Sequence, residues 1–349
     1  MPLSKIKTNS IADEVFEAGS NLIINGAMQI WQRGTSTDTI SNGGYLCDRW
    51  RINHSGTDGN VDVDRSTDVP AGKGFGFSQK ISMDASESSL DAGDQIRVIQ
   101  RIEGQNLQSL KKGTSSAESV TISFYVKSSV AATYTVNIRD EDNDRDNSKT
   151  YTIDSANTWE FKSITFTGDT TGALDNDNGR SFDLNFWIDA GTSFTSGTFY
   201  NGTWGAGDNT KKVSATTGWL VSTSPEWYIT GVQMEVGEQA TPFEHRSIGD
   251  DMARCQRYYF RSVCETSLAY YADTYSNDTI TLTAMFPVKM RAKGAGSLIG
   301  TWTLLNCNAQ PTLTVHTPDS VAMSAPVTSA GRAFFHAALN DGFEVDAEL

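Results

Sequence analysis

An acidic segment has the residue types and spacing for metal chemistry. Asp142, Asp144 and Asp146 stand at alternate positions, and carboxylate oxygens spaced in this way resemble the start of a calcium-binding loop. A complete EF-hand loop would continue with glycine at position 147 and glutamate at position 153, whereas this sequence has Asn147 and Ile153. Two interpretations remain open: the solvated tip of a β-hairpin, and a weak calcium site.

The stretch from 186 to 219 has the residue types for ligand binding, because its aromatic side chains stand among glycine, serine, threonine and asparagine. Flat apolar rings beside hydrogen-bonding groups are typical of surfaces that recognise sugar rings or flat protein surfaces. The candidate glycan-binding residues are Trp187, Tyr200, Trp204 and Trp219. The alternative is that the long loops fold back and bury these rings under an edge of a sheet.

The sequence contains no motif that is typical of an enzyme. Its four histidines are far apart and form no metal-binding pattern, and it has no GxSxG nucleophile motif. The glycines of Gly72–Phe77 lack the lysine and the following helix of a phosphate-binding loop, so we predict a loop that enters a strand. Among 42 acidic residues, a pair of glycosidase carboxylates cannot be recognised from sequence. We therefore expect a protein without enzymatic activity.

The charge balance disfavours two classes of partner. The 349 residues include 28 Lys and Arg against 42 Asp and Glu, which gives a net charge of −14. Nucleic acids and anionic lipids bind through concentrated Lys and Arg, and the sequence has no such patch and no apolar run of membrane-spanning length. It also has no signal-peptide pattern and no CxxC spacing, so we expect synthesis in a cytoplasm and four free, buried cysteines.

Alternating apolar and polar residues predict an all-β chain built from antiparallel sheets. Regular spacing of strands and turns without intervening helices favours a two-sheet β-sandwich. In the last of its strands, the apolar residues Trp227 and Ile229 stand at odd positions, whereas Val232 and Met234 stand at even positions. Since odd and even positions of a regular strand point to opposite faces, we predict a bulge at Gly231. Trp50 and Trp227 are predicted core residues. The predicted strands include Val120–Val126, Tyr134–Ile138, Lys149–Ile153, Glu160–Phe166, Phe182–Ile188 and Glu226–Val236.

One helix is predicted at Asp250–Arg261, with acids in its first turn and arginines in its later turns. We expect this helix to link the sandwich to a smaller β domain. The tight-turn signal Asn340–Gly342 predicts a hairpin between the last two strands. The strands predicted after the helix are Thr279–Phe286, Leu298–Leu305, Thr312–His316, Arg332–Leu339 and Phe343–Ala347. The predicted units are an N-terminal arm at 1–20, a sandwich at 21–247, a linking helix at 248–262 and a C-terminal β domain at 263–349.

Several segments resemble a family of bacteriophage tail-fibre and related virion proteins. The most specific is Tyr228–Gly237, followed by Ala240–Ser247 and Ala253–Tyr259. The resemblance covers most of residues 21–260 and parts of the remainder. The other matching segments are Asn21–Met28, Gln32–Gly34, Asp48–Trp50, Val120–Ser128, Asn157–Glu160, Gly168–Gly172, Phe286–Ala292 and Asp346–Leu349.

The resemblance implies a jelly roll like that of carbohydrate-binding modules, followed by a helix and a C-terminal β domain, on a virion assembled in the host cytoplasm. It supplies no catalytic residues. It also implies a homotrimer, which agrees with a C-terminal domain that is small for its large apolar side chains. Those side chains are Tyr270, Tyr271, Phe334, Phe335 and Phe343.

The expected function is therefore that of a non-catalytic tail fibre or receptor-binding adhesin that contacts host surface glycans. The arm 1–20 would bind other virion proteins, and its shortness favours a short fibre or a spike-like decoration. Two alternatives remain: a head-decoration or other structural virion protein, and a polysaccharide depolymerase. The absence of a β-helix repeat argues against the depolymerase.

Overall fold

The computed structural model describes residues 21–263, 268–274, 279–338 and 340–349. The predicted arm 1–20, Cys264 and the side chains of Tyr270 and Tyr271 lie outside the described residues. No helix in the described part of the chain is long and apolar enough to cross a membrane.

The first part of the chain forms thirteen described strands and one described α-helical turn. The turn is α1, Thr192–Thr195. The strands are β1 Ser36–Thr37, β2 Gly44–Tyr45, β3 Arg51–Ser55, β4 Val61–Ser66, β5 Ser78–Met83, β6 Gln95–Glu103, β7 Val120–Ser128, β8 Thr133–Asp140, β9 Arg145–Thr152, β10 Glu160–Phe166, β11 Arg180–Ala190, β12 Gly205–Ala206 and β13 Glu226–Val236.

These strands form an antiparallel β-sandwich of jelly-roll type, as expected. A six-stranded sheet has the order β1-β4-β5-β13-β7-β10, and a seven-stranded sheet has the order β12-β9-β8-β11-β6-β3-β2. The chain passes repeatedly from one sheet to the other, for example from β3 to β4 and from β6 to β7. The two inner faces therefore enclose one core.

Strand periodicity explains which side chains fill this core. On β7, Ile122 and Phe124 are fully buried between the sheets, whereas Tyr125 points outward and is half-buried. Trp50 and Trp227 are fully buried in the same core, which confirms their prediction. Complete burial of a large apolar side chain stabilises the fold by about 1.5–3 kcal/mol.

The bulge predicted on β13 is present. Pairing between β13 and β7 changes register between Thr230 and Gln233, and Gly231 has a φ of 63°. The extra residue lets Ile229 and Val232 both point into the core, because it reverses the alternation between them.

The second part of the chain contains a helix and nine described strands. The helix is α2, Ile248–Gln256. The strands are β14 Tyr259–Val263, β15 Leu268–Thr274, β16 Thr279–Met285, β17 Ala295–Ile299, β18 Thr303–Leu305, β19 Thr312–Thr317, β20 Ser320–Pro326, β21 Gly331–Ala337 and β22 Gly342–Asp346. They form three sheets of three strands, with the orders β14-β22-β17, β15-β21-β18 and β16-β20-β19.

Helix α2 begins as expected but ends earlier than its predicted end at Arg261. Its N-cap is Ser247, whose hydroxyl accepts a hydrogen bond from the Asp250 amide at 3.2 Å. The helix ends at Gln256, and Tyr259–Val263 pairs with β22 instead. The aromatic and β-branched residues of this segment favour the strand over another helical turn.

Two further predictions in the C-terminal region are wrong. The strand predicted at Leu298–Leu305 is divided into β17 and β18, because Gly300 adopts a φ of 75° between them. The turn at Asn340–Gly342 does not close a hairpin: β22 pairs with β14 and β17, whereas β21 pairs with β15 and β18. Asn340 adopts the positive φ that the turn signal predicts, 67°, but the turn leads the chain into a different sheet.

The sandwich and the C-terminal region are joined by buried ion pairs. Arg49, 1% exposed, pairs with Glu348, and its guanidinium lies 3.4 Å from the centre of the Tyr258 ring. Arg257 donates two hydrogen bonds to Glu103, at 3.1 and 2.8 Å.

The described thiols are not in disulfides. Cys47 and Cys255 are buried, and Cys307 is half-buried. Burial raises the pKa of Cys47 and of Cys255, so both are uncharged thiols at neutral pH.

Candidate functional site

Two of the four candidate glycan-binding residues are buried. Trp187 is 1% exposed and lies between Phe194, at a ring-centre distance of 5.1 Å, and the guanidinium of Arg97, at 4.5 Å. Trp219 is fully buried in the core of the sandwich. Neither indole offers a face to a ligand in this conformation. Their positions match the alternative in which the loops fold back over their own aromatic rings.

The other two candidates are half-buried and separate. The Tyr200 hydroxyl donates to the carbonyl of Ala206 at 2.5 Å, and the Trp204 indole donates to the carbonyl of Thr167 at 2.8 Å. The Trp204 ring lies 6.1 Å from that of Phe182. No ring contact within the described residues joins one of the four candidates to another, so they do not form one binding surface.

The acidic segment forms the tip of the hairpin between β8 and β9. Asp144, at a φ of 50°, accepts from Arg139 at 2.7 Å, and Asp146 accepts from the same guanidinium at 3.0 Å. Asp142 accepts from the backbone amide of Asp175 at 3.0 Å. In the part of the chain that the structure describes, no group of three metal-ligating side chains is placed to hold an ion. The geometry matches the interpretation as a solvated hairpin tip for Asp142 and Asp144, which are exposed, whereas Asp146 is fully buried on β9.

A different group of aromatic side chains converges on the outer face of the six-stranded sheet. We call it the aromatic pocket, and it consists of Phe75, Tyr125, Phe161, Phe243 and His245. Tyr125 on β7 and Phe161 on β10 are direct cross-strand partners, and their ring centres are 5.1 Å apart. Phe161 is 50% exposed, which is unusual for a large apolar side chain.

The loop before β5 supplies the floor of the pocket. Phe75 is 7% exposed and its ring centre lies 5.6 Å from that of Tyr125. The ring lies against Gly231, where an added Cβ would approach it to 2.5 Å. Glycine is required at this bulge for two reasons, the positive φ and the closeness of the Phe75 ring. The bulge therefore shapes the pocket as well as the strand.

The segment that follows β13 supplies one wall. Phe243 contacts Phe75 edge-on at 5.0 Å, and His245 lies 5.3 Å from the same ring. Side chains of β13 hold this segment against the sheet, since Gln233 accepts from the Glu244 amide at 2.8 Å and Glu235 accepts from the Thr241 amide at 3.1 Å.

The pocket encloses about 520 Å³, which lies within the range of about 300–1,000 Å³ for small-ligand sites. Hydroxyl groups of Ser123 and Thr241 and the ammonium group of Lys73 stand among its rings. An open aromatic surface with a few hydrogen-bonding groups can contact the apolar face of a sugar ring while it binds the ring's hydroxyls.

A second aromatic pair continues this face of the sheet. Tyr228 lies opposite Lys127 in register, and its ring centre is 6.1 Å from that of Trp159. The Lys127 ammonium is 4.0 Å from the centre of the Tyr228 ring and pairs with Asp68. Burial would raise the pKa of Asp68, but hydrogen bonds from Lys127 and the Trp159 indole lower it below its usual value. The pair is thus held by a charged network beside the aromatic pocket.

Sequence reasoning missed this surface because it looked for aromatic density in loops. A usable signal was present on β7, where Tyr125 shares the outward parity of Ser123 and Lys127. An aromatic residue at a strand position where polar residues alternate with the core residues is expected on the solvent-facing side of the sheet. No sequence pattern predicts that Phe75 and Phe243 pack near Tyr125, because both residues lie in loops.

Replacing Gly231 with alanine tests how the bulge shapes the pocket. We expect the free energy of unfolding to decrease by about 1–2 kcal/mol, because alanine is strained at this φ and its Cβ displaces the Phe75 ring. Denaturant titration measures the change. Gly76→Ala is the matched control, since a Cβ there meets no atom within 4 Å. Equal stability of both variants and the parent would contradict the assigned role of Gly231.

Fold and site together describe a jelly-roll protein with an open aromatic pocket on one sheet. No family model matches the sequence, and no curated protein matches it. Carbohydrate-binding modules and a phage tailspike domain are among the solved structures that the chain resembles.

The tailspike match is the enzymatically active domain of tailspike protein 4 from bacteriophage CBA120, with 18% identity and a TM-score of 0.33. It covers 62% of this chain, and the chain spans only 21% of that domain's length. A putative sugar binding protein from Bacteroides thetaiotaomicron matches with 12% identity and a TM-score of 0.35, over 62% of this chain and 99% of that one. A family 11 carbohydrate-binding module from Clostridium thermocellum matches with 14% identity and a TM-score of 0.30, over 58% and 96%.

Proposed function

We propose that this chain is a non-catalytic glycan-binding adhesin of a phage virion, carried on a tail fibre or a similar appendage. The observation that carries the glycan-binding part is the aromatic pocket, in which a half-exposed phenylalanine stands beside hydroxyl groups on a rigid sheet. The virion part is supported by the resemblance of Tyr228–Gly237 and Ala240–Ser247 to tail-fibre proteins. These two segments are also the ones that form β13 and one wall of the pocket.

The pocket is suited to stacking against a pyranose ring. Phe161 presents an open face and contacts Tyr125 at a ring-centre distance of 5.1 Å. Tyr125 is in turn supported by Phe75, whose ring centre lies 5.6 Å away. Because the supporting rings are fixed by packing, little side-chain entropy is lost when a sugar binds. Ser123 and Thr241 add hydroxyl groups to the lining, of which the Thr241 hydroxyl donates to Glu235.

The lining of the pocket supports binding without catalysis. Glycoside hydrolysis requires two carboxyl groups across the sugar, and the described residues that line this pocket include no Asp or Glu. The proposal therefore has no depolymerase step. An assay for new reducing ends on host polysaccharide tests this part, and release of oligosaccharides by the purified protein would overturn it.

Phe161→Ala tests the glycan-binding proposal. Once a glycan array has identified a ligand, we expect this variant to bind it about five- to tenfold more weakly by calorimetry, because a stacking face worth about 1 kcal/mol is lost. Phe161→Trp retains the face and should bind like the parent. Met285→Ala is the surface control, since Met285 is 69% exposed on β16, outside the sandwich.

The proposal fails if the parent binds no host glycan or if Phe161→Ala retains full affinity.

Truncation of residues 1–20 separates attachment from adhesion: we expect loss of incorporation into virions and unchanged glycan binding. Loss of glycan binding alone would contradict the assignment of the arm.

The trimer is part of the same proposal, and light scattering tests it. A single chain already buries Phe335 and Phe343 at 1% and 4% exposure. The apolar residues left for a trimer contact are therefore others, among them Leu305, which is 48% exposed. A monomeric mass would end the trimer proposal without affecting glycan binding.

A further inference from the structure

The outer face of the seven-stranded sheet carries a concentration of arginines that the aromatic pocket does not use. We call it the arginine cluster, and it consists of Arg51 on β3, Arg97 and Arg101 on β6, and Arg180 at the start of β11. Arg51 lies opposite Ile99, which places it diagonally across from both Arg97 and Arg101. Diagonal neighbours in antiparallel strands are about 7–8 Å apart. Four positive charges thus share one small region of a chain whose net charge is −14.

The carboxylates of this face pair with Arg180 and Arg101 of the cluster and with Arg139 beside it. Both oxygens of Asp183 accept hydrogen bonds from Arg180, and Arg101 stands 3.8 Å from the same carboxylate. On the neighbouring strands β8 and β9, Asp146 lies opposite Arg139 and forms an ion pair with it. No carboxylate of the described residues forms an ion pair with the other two arginines of the cluster, although Asp183 acts on both from a distance and favours their charged forms.

Arg51 and Arg97 have only neutral partners among the described residues. Arg51 donates to the carbonyl of Gly43 at 3.1 Å and to the Asn53 side chain. Arg97 donates to the Asn185 side-chain oxygen at 3.3 Å, and its Nε is buried without a hydrogen-bond partner.

Several other interior cations among the described residues are paired with carboxylates. The side chains of Lys112, Arg49 and Arg257 all reach carboxylates at buried or half-buried positions. Unpaired charge at a half-buried position is unfavourable unless another group neutralises it. Burial, together with the guanidinium groups of Arg51, Arg180 and Arg101, lowers the pKa of Arg97 to about 10, although Asp183 opposes this. A bound anion would relieve that repulsion.

We propose that Arg51 and Arg97 form a second binding site, which takes the carboxylate of an acidic sugar residue. A guanidinium group binds a planar carboxylate with two parallel hydrogen bonds, and two guanidinium groups can share its two oxygens. The surrounding groups suit a sugar better than a bare ion. The side chains of Asn53 and Gln95 offer amide groups beside the arginines, and Gln95 Oε1 is buried without a partner.

The position of Arg97 favours this role. Its guanidinium carbon lies over the Trp187 ring, 4.5 Å from the ring centre, and this contact restricts its position. Asn185 holds one edge of the group through the hydrogen bond from Nη1. Stacking and this hydrogen bond orient the guanidinium before a ligand arrives, so less entropy is lost on binding. The buried indole of Trp187 thus supports a site through its neighbour, without touching the ligand.

Titration with methyl glucuronide and with N-acetylneuraminic acid, followed by NMR, tests the site on the full chain. We expect saturable binding of at least one acid that excess methyl glucoside does not displace, and weaker binding as NaCl is raised from about 0.05 to about 0.5 M. Arg97→Gln and Arg51→Gln should each weaken binding at least about tenfold, because each removes charged hydrogen bonds. Arg254→Gln, at an exposed position on α2, is the matched control and should bind like the parent.

Several outcomes would overturn the proposal: no saturable binding of either acid, unchanged binding by both variants that retain the parent's thermal stability, or equal binding of sodium sulfate. The last result would identify a site for inorganic oxyanions. Phe161→Ala distinguishes this site from the aromatic pocket, since it should leave binding of the acidic sugar unchanged. The two sites can therefore fail independently.

Discussion

Lys112→Met should lower the free energy of unfolding by about 3–5 kcal/mol, because it leaves a buried carboxylate without its cation. The Lys112 ammonium, 3% exposed in its side chain, lies 2.5 Å from Asp140 and 3.2 Å from Asp169. It also donates to the carbonyls of Thr171 and Gly172 at 2.7 and 2.8 Å. Asp169 keeps Arg145 in the variant, but the fully buried Asp140 loses its only salt-bridge partner among the described residues.

Chemical denaturation at neutral pH measures this loss. Lys111→Met is the matched control: its ion pair with Glu118 lies at the surface, where such pairs contribute about 0–1 kcal/mol. A loss below about 1 kcal/mol for Lys112→Met would contradict the assigned role of the buried network.

The same network makes a prediction about acid. Burial raises the pKa of Asp169, but hydrogen bonds from Arg145 and the charge of Lys112 outweigh it and lower the pKa below its ordinary value. A carboxyl with a lowered pKa stabilises the fold above its ordinary value of about 3.9, and this contribution is lost as the pH falls through the folded-state pKa. The stability difference between parent and Lys112→Met should therefore shrink at the acid end of the profile.

Arg49→Met should lower the free energy of unfolding by a similar amount, about 3–5 kcal/mol, and loosen the C-terminal sheets from the sandwich. The variant leaves Glu348, 5% exposed in its side chain, with Arg33 at 3.4 Å as its remaining ion-pair partner, and it removes the guanidinium from the Tyr258 ring. It also removes a hydrogen bond to the Arg101 carbonyl. Arg49 has a φ of 73°, which residues other than glycine rarely adopt, so the structure holds it there against local preference.

Thermal unfolding and limited proteolysis together test this contact. We expect a lower melting temperature and faster cleavage between β13 and β14. Arg254→Met, an exposed arginine on α2, should change stability by less than about 0.5 kcal/mol. Unchanged proteolysis in Arg49→Met would contradict the assigned role of Arg49 and would leave the joining of the two parts to other pairs, such as Arg257–Glu103 and Arg33–Asp346.

Much of the sandwich was predictable because period-two alternation depends on local sequence alone. Predicted and observed bounds agree for Glu160–Phe166 and Glu226–Val236, and the bulge at Gly231 followed from a change of parity within one strand. The C-terminal region was less predictable. There Asn340–Gly342 forms a turn as expected, but partners for the strands on either side come from distant segments.

For the candidate sites, too, local sequence predicted some features, whereas others depend on distant segments of the chain. Asp142, Asp144 and Asp146 were recognised as a hairpin tip or an ion site, and the pairing of β8 with β9 matches the first interpretation. The aromatic stretch from 186 to 219 was recognised as chemically rich, but density along the chain does not tell which rings are covered. Trp187 and Trp219 are covered by the core and by neighbouring loops.

The sequence by itself determined the all-β class, the inward parity of residues such as Phe124 and Trp227, and the need for glycine at the bulge. These properties depend on residues a few positions apart. Only the tertiary structure decided that Phe75, Phe161 and Phe243 meet on the outer face of the six-stranded sheet, and that two arginines on the outer face of the seven-stranded sheet form no ion pair with a carboxylate of the described residues. Strand alternation assigns a side chain to a face, but the order of strands in a sheet and the path of loops over it depend on packing across the whole chain.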